Sequence, residues 1–570
     1  MLISFLSIAA YAQTGKISGT VADKKTGETL IGVTVKIKGT AKGVSTDVDG
    51  HYTLQAMASG KYTLEFSYVG YQTKEVSDVD VKGPAVTNLS VTLAEAGGQN
   101  LQEVVIKASF KQESINTLYA QQKNSALISD GISSEQIKKS PDRNTSDVLK
   151  RVSGATIQDN KFVIVRGLSD RYNTATLDNS TLPSTEANRK AFSFDIVPSN
   201  LVDKITISKT ATPDLPADFA GGAVQIVTKD IPDQNFLSFG VGYGYNSQST
   251  FKDFLGTKKN ALAYLGYEDG GKQLAENFPT REAIAAGTLS NAKNIAALKS
   301  FPTDNSIKTT TALPTQNYQF NLGRVKNFEN GNKFGAMISA TYRNAQTIYE
   351  NNERNFYIYN YNDNQYRFST NVGGLANFAY SFGKNKISFK NIYNKNYDDN
   401  YTVRTGIRDA NTLNQFYAYD IMQKSLYKAT LEGDHQIGEG NSKLKWTASY
   451  SNITNNQPNQ LKLNYQKALA SQNDPSVPYE ANITSLGKEN TRLFSDLNEN
   501  LYSGEANYIT PFKLFDASTT MKVGLGSQYR ERTFNARFVG AQLQTNDIDL
   551  QTQIRSLPIT EIYSQSLIES

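Results

Sequence analysis

Residues able to do covalent chemistry are sparse in this chain. There are two histidines, His51 and His435, far apart in sequence, and no histidine pair has zinc spacing. Cysteine is absent, which removes disulfides, thiolate metal sites and a thiol nucleophile. Neither a G-x-S-x-G elbow nor a Walker-type phosphate loop occurs. Asp47 and Asp49 before Gly50 have the opening spacing of a calcium loop, but the Glu that should close it is missing; a hairpin turn feeding Tyr52 explains them better. Neither an enzyme nor a cofactor is expected. What the residues offer instead is recognition. Leu101, Gln102, Glu103, Val104, Val105, Ile106 and Lys107 form a short extended apolar segment behind the flexible linker Gly97-Gly98-Gln99-Asn100. Such a strand can add to a partner's sheet through main-chain hydrogen bonds; it can equally be a last strand of the preceding domain, or linker.

With 570 residues the chain is too long for one ordinary domain. Hydrophobic residues make up 38%, mean hydropathy is -0.47, and no run approaches the roughly 18 apolar residues of a spanning helix. A helical membrane protein is excluded. A β-barrel is not, because its lipid-facing residues alternate with polar ones. There are 32 Tyr and 27 Phe against one Trp, with 40 Gly; tyrosine suits a surface apolar at one end and wet at the other. Net charge is +5, from 59 basic and 54 acidic residues, a near balance that gives no case for nucleic acid. Residues 2–10 are apolar, and Ala10-Tyr11-Ala12 before Gln13 has the A-x-A pattern of signal-peptide cleavage. The basic n-region is missing, so residues 1–12 read as a partial signal peptide cleaved after Ala12.

Residues 14–94 alternate as short strands. Ile17-Ser18-Gly19-Thr20-Val21 opens the series, and Val33, Val35 and Ile37 share one face with Thr34, Lys36 and Lys38 on the other. The regular spacing predicts a small β-sandwich. GKISGTVADKKTGETLIGVTVKIKGT (15–40) and STDVDGHYTLQAMASGKYTLEFSYVGYQT (45–73) resemble the carboxypeptidase-regulatory-like domain, a module often fused in front of outer-membrane receptors. The resemblance implies a β-sandwich without peptidase activity.

Residues 111–233 have mixed α/β pattern. Residues 133–139 and 144–152 have helical spacing; Asn144 or Thr145 can cap the second helix, with Val148, Leu149 and Val152 on one face. Asp159-Asn160 turns between two short strands, and a helix over 198–203 leads into Lys204-Ile205-Thr206-Ile207. SDVLKRVSGATI (146–157), VIVRGLSDRYNTATLDNSTLPS (163–184) and RKAFSFDIVPSNLVDKITISKTATPDLPADFAGGAVQIVTK (189–229) resemble, in order, the plug of TonB-dependent receptors. The resemblance implies a globular plug inside a barrel, displaced or remodelled when the TonB energy-coupling protein pulls a TonB box, which residues 101–107 resemble. Arg166 in Val-Arg-Gly then becomes a candidate latch onto barrel carboxylates, since buried charges must be paired; an arginine at a solvated plug surface is the other reading. Arg171, Asp178 and Arg189 are weaker candidates for that latch.

Residues 234–570 alternate repeatedly. Leu237, Phe239, Val241, Tyr243 and Tyr245 lie on one strand face; Phe334, Ala336, Ile338, Ala340 and Tyr342 repeat the pattern, as do Met521, Val523 and Leu525. This is the outer-membrane strand signature. Polar stretches 249–315, with a helix over 283–298, and 455–498 are expected to be extracellular loops. Roughly ten strands are expected, against the about 22 of the plugged receptor barrels, and the chain ends on Glu569-Ser570 without a terminal aromatic strand, so an incomplete barrel is expected.

The expected fold is mainly β: a β-sandwich (13–96), linker and TonB box (97–110), a small α/β plug (111–233) and an incomplete antiparallel transmembrane β-barrel of the 22-strand type (234–570). The expected function is TonB-coupled nutrient import across the outer membrane of a Gram-negative bacterium, with sandwich and plug on the periplasmic side and lipid around the barrel. Two cargoes stay open: a metal chelate or other small nutrient, and a glycan or peptide delivered with a surface lipoprotein. Clustered aromatics at 351–366 (NNERNFYIYNYNDNQY) fit a sugar site loosely, and the Tyr and Asn there can equally be strand ends. A non-transporting adhesin or structural barrel is the alternative.

Overall fold

The computed structural model describes residues 15–40, 42–83, 85–94, 115–123, 125, 127–142, 144–187, 189–216, 219–228, 232, 234–300, 306–438, 442–483, 489–515, 517–540, 543 and 545–562. Residues 1–12, expected to be a partial signal peptide, residues 101–107 and residues 563–570 lie outside these. Two compact units result: 1–128 with 132–139, and 129–131 with 140–570.

The first unit holds the sandwich. Gly15–Asp23 pairs antiparallel with His51–Met57 and parallel with Val86–Asn88 and Val91–Leu93. The other sheet has the order Gly43–Ser45, Thr34–Ile37, Gly60–Ser67, Lys74–Val81. Alternation builds the core directly: Ile17, Val21, Val33, Val35, Leu64 and Phe66 are fully buried. Gly19 is required where strands crowd, because a Cβ there would stand 1.9 Å from the Leu89 carbonyl oxygen. Asp47 is a turn residue: its Oδ1 accepts from the N–H groups of Asp49 (3.0 Å) and His51 (2.8 Å), and Gly50 takes φ 73°.

In the second unit the strands are labelled β1–β15. The small α/β part contains β1 (Ala155–Gln158) and β2 (Phe162–Val165), a hairpin closed by Asp159 and Asn160, both at φ 55°. Its main sheet runs β4 (Ser180–Thr181), β3 (Thr174–Leu177), β6 (Ala223–Thr228), β5 (Val202–Ser208), with Ser129–Ser133 beside β5. The expected helix at 144–152 is Thr145–Leu149, capped by Asn144 accepting from the Asp147 N–H. The helix expected over 198–203 shortens to a 3-10 turn, Ser199–Leu201, because the chain enters β5 at Val202.

A ten-stranded antiparallel sheet follows. Its path is β7 (Phe236–Gly244), β8 (Thr315–Asn327), β9 (Lys333–Phe356), β10 (Tyr359–Phe382), β11 (Asn385–Arg408), β12 (Thr412–Ile437), β13 (Ser442–Ala468), β14 (Thr491–Leu514) and β15 (Ala517–Gly540), with Glu480–Ala481 added on β13. Among the described residues β7 and β15 are its edges and the barrel is not closed. One end carries tight turns, such as Gly383-Lys384; the other carries the stretch between β7 and β8. That stretch contains a hairpin, Asp253–Gly256 with Lys308–Thr311, and two helices, Arg281–Ala285 and Asn291–Lys299, where one helix was expected. The loop expected at 455–498 is corrected: β13 continues to Ala468 and β14 starts at Thr491. Cross-strand amides hold that segment extended, as where Asn452 Nδ2 donates to Asn498 Oδ1 at 2.8 Å.

Candidate functional site

The chemistry of the second unit concentrates where the α/β part meets the inner face of the sheet. The β3–β4 turn places Asp178 (φ 48°) and Asn179 (φ 58°) at this boundary; Asp and Asn tolerate the left-handed region that the turn needs. Thr228, at the end of β6, donates to the Asp178 carboxylate through its N–H and its hydroxyl, each at 2.9 Å. Lys390 of β11 reaches the same carboxylate at 3.3 Å and Glu432 of β12 at 3.0 Å. Asn179 Nδ2 donates to Glu432 Oε1 at 3.3 Å, and Asn377 of β10 donates to the Thr228 hydroxyl at 3.2 Å.

Further from the tight turns, Lys428 of β12, with 1% exposure, donates to the Ser180 hydroxyl. Lys424 pairs with Glu186, and Arg532 of β15 donates to the Glu186 carbonyl. Arg532 and Arg530 also flank the fully buried Glu499 carboxylate at 2.9 and 3.3 Å. Nearer the tight turns, Lys522 pairs with Asp214 at 2.6 Å. Burial pushes the Asp214 carboxyl up, but the Lys522 ammonium and the Thr212 hydroxyl outweigh it and hold the group below its usual range. The boundary is therefore fastened by wall cations on acidic or hydroxyl groups of the inserted part. Ion pairs of this kind fix a position and can be exchanged, but they form no nucleophile. Among the described residues no group of three or more His, Asp or Glu could hold a metal ion.

The arginines singled out from sequence make other contacts. Arg166 (φ 53°) donates to the carbonyls of Gly221 (2.6 and 3.0 Å) and Ala220 (3.0 Å). It clamps the end of β2 to the segment before β6. The Arg171 guanidinium lies 5.3 Å from the centre of the Tyr172 ring. Arg189 pairs with Asp170 at 3.0 Å and stands 4.3 Å from the centre of the Phe162 ring. These contacts stay inside the α/β part, whereas Asp178 faces a wall cation. Residues 101–107 lie outside the described residues. The aromatic run 351–366 consists of strand ends at a hairpin tip: Tyr359 and Tyr361 stack at 4.8 Å, and Asp363 is held by Arg404 (2.7 Å) and Arg354 (2.9 Å). Lys390, Lys424 and Lys428 were missed; their shared place on one strand face carries the signal only once that face is known to be the inner one.

A small α/β domain fastened by ion pairs to the inner face of a large antiparallel sheet defines a plugged-barrel protein. Residues 17–106 match the CarboxypepD_reg-like domain and residues 121–224 the TonB-dependent Receptor Plug Domain. The chain accordingly carries a carboxypeptidase-regulatory-like domain followed by a plug domain of the TonB-dependent receptor type. It is 46% identical over 90 residues to a TonB-dependent receptor of Formosa agariphila, covering 16% of this chain and 8% of that protein. It is 38% identical over 108 residues to the TonB-dependent receptor SusC of Bacteroides thetaiotaomicron, covering 19% and 10%. The match thus spans a tenth or less of those relatives' length. Solved structures with some likeness include BauA, the ferric preacinetobactin receptor of Acinetobacter baumannii (10% identity, TM-score 0.28, 73% of this chain and 60% of that one). Another is the RagAB peptide importer in its open-open state (12% identity, TM-score 0.28, 70% and 56%).

Proposed function

We propose that this chain acts as an outer-membrane receptor that imports a nutrient by TonB-coupled active transport, with residues Leu101–Lys107 as the strand that the coupling protein captures. The observation that carries the proposal is the ionic seating of Asp178, Glu186 and Asp214 on Lys390, Lys424 and Lys522. A domain held by exchangeable ion pairs can be pulled aside and returned. Lipid around the sheet is supported by its outward side chains: Phe239, Val241, Tyr243, Leu525 and Tyr529 are 66–75% exposed, an apolar surface that water would penalise. In this reading the tight turns, the plug and the sandwich are periplasmic, and the cargo is a metal chelate or other small nutrient, or a glycan or peptide passed on by a surface lipoprotein.

Deleting residues 101–107 from the gene in its host tests the proposal. Uptake should be lost while the protein stays in the outer membrane. Unchanged uptake, or an adhesion phenotype indifferent to the deletion, would replace transport with a non-transporting barrel.

A further inference from the structure

Strands β9–β15 are 24–27 residues long, whereas about 9–11 tilted residues cross a bilayer. The outer face changes character accordingly. On β11, Ile387, Phe389 and Tyr393 point outward and are 37–44% exposed, while Tyr397 and Tyr401 on the same face are buried. β10 and β12 repeat this: Phe378, Tyr380, Tyr427 and Leu431 are exposed, but Tyr366, Phe368, Tyr419 and Ile421 are covered. Tyr393, where the change occurs, is the ninth residue of β11, counting from Asn385.

Over β10 and β11 the cover comes from the stretch after β7. Phe254 packs edge-on to Tyr366 at 5.9 Å and Tyr264 to Phe368 at 5.1 Å, with Ala263 buried beneath. Lys259 pairs with Asp399, and Tyr267 and Tyr393 hydroxyls meet at 3.0 Å, with Lys395 Nζ 4.9 Å from the Tyr267 ring centre. The docked turn is two-faced. Having buried Ala263, it leaves Leu262 44%, Leu265 55% and Tyr267 43% exposed, next to the upper rim of the exposed band. Tyrosines beside a lysine at the end of an apolar band are the pattern of a headgroup boundary.

We propose that the turn at residues 262–267 is an interfacial membrane anchor, clamped to the outside of the barrel and inserting Leu262, Leu265 and Tyr267 into the headgroup–acyl boundary. The proposal rests on the outer-membrane reading above. It sets the upper limit of lipid contact at Tyr393 and places this turn outside the barrel rather than over its mouth.

The sole tryptophan allows a direct test. With Trp446 and any tryptophan outside residues 1–570 changed to Phe, the full receptor carrying Leu265→Trp, Leu262→Trp or, as a mid-band control, Phe239→Trp is reconstituted into phosphatidylethanolamine–phosphatidylglycerol vesicles. Nitroxide lipids labelled either near the headgroup or deep in the acyl chain serve as quenchers. The turn tryptophans should be quenched about twofold or more by the shallow label and less by the deep one, with the reverse for Phe239→Trp. If Phe239→Trp is quenched and neither turn tryptophan is, the anchor is refuted while the membrane reading stands. If Phe239→Trp also escapes quenching, the membrane reading falls and the anchor with it.

Discussion

Asp178 of the plug and Lys390 of the wall meet at 3.3 Å, with their side chains 3% and 6% exposed. The two are 212 residues apart in sequence, so the contact can form only after the sheet has assembled around the inserted domain. Each has a second partner: Thr228 donates to Asp178, and Glu432 accepts from Lys390. The pair is therefore a node with unequal members. Removing the cation takes a partner from two carboxylates, whereas removing the carboxylate charge leaves the lysine its contact with Glu432.

Lys390→Met should accordingly loosen the plug more than Asp178→Asn. Breaking a buried pair by deleting one partner costs about 3–5 kcal/mol, and the methionine variant stands at the upper end because both Asp178 and Glu432 lose their contact with Lys390. Limited proteolysis of the detergent-extracted receptor, read as the cleavage rate within residues 174–228, gives the order. Equal rates for the two variants would mean that the node does not hold the plug.

Arg166→Ala should act inside the plug. It removes the guanidinium bonds to Gly221 and Ala220, at a cost of about 1–2 kcal/mol for charge-assisted bonds at an exposed position. It also leaves a Cβ at φ 53°; Arg166→Gly removes that backbone strain and should cost less. Amide exchange at residues 220–226 is the readout. Unchanged exchange there together with faster plug release would restore Arg166 as a latch to the wall.

The sandwich has its own pH dependence. The Asp23 carboxyl is held down at about 2, first by the Tyr71 hydroxyl and then by the N–H groups of Thr26 and Lys25. Because that lies below the unfolded value of about 3.9, folding favours the ionised form. The contribution is complete above about pH 5 and is lost as pH falls towards 2. Asp23→Asn should flatten this dependence. Urea midpoints of the first unit at pH 7 and pH 3 test it: wild type should fall further than the variant, and parallel falls would show that Asp23 is not the group responsible.

How far the sequence carried this description depended on distance along the chain. The face of β7 set by Phe239, Val241 and Tyr243, the Asp159-Asn160 turn and the Asn144 cap were legible because period and turn chemistry are local. The extension of β13 over 455–468 and of β14 over 491–498 was not. Its asparagines and glutamines look like loop, and only partners across the sheet, such as Asn452 with Asn498, turn them into strand. The plug's fastening escaped for a related reason. Val-Arg-Gly drew attention to an arginine, but its guanidinium is used by nearby carbonyls, and the wall offers lysines rather than carboxylates to Asp178 and Glu186. Charge complementarity between segments more than 200 residues apart leaves no local pattern.

The membrane reading predicts that two exposed aromatics will respond oppositely to one substitution. Phe389 is 44% exposed and is the fifth residue of β11, within the band below Tyr393; Tyr357 is 95% exposed at the tip between β9 and β10. In water alone, an arginine should be harmless at both positions. In a bilayer, Phe389→Arg places a cation near the midplane and should cost about 2–4 kcal/mol, whereas the tip position should cost roughly 0–1. The fraction of receptor that resists urea extraction from outer membranes measures the difference. It should fall for Phe389→Arg and hold for Tyr357→Arg. An unchanged fraction in both would mean that the aromatic band does not face lipid, and that some other partner must cover it.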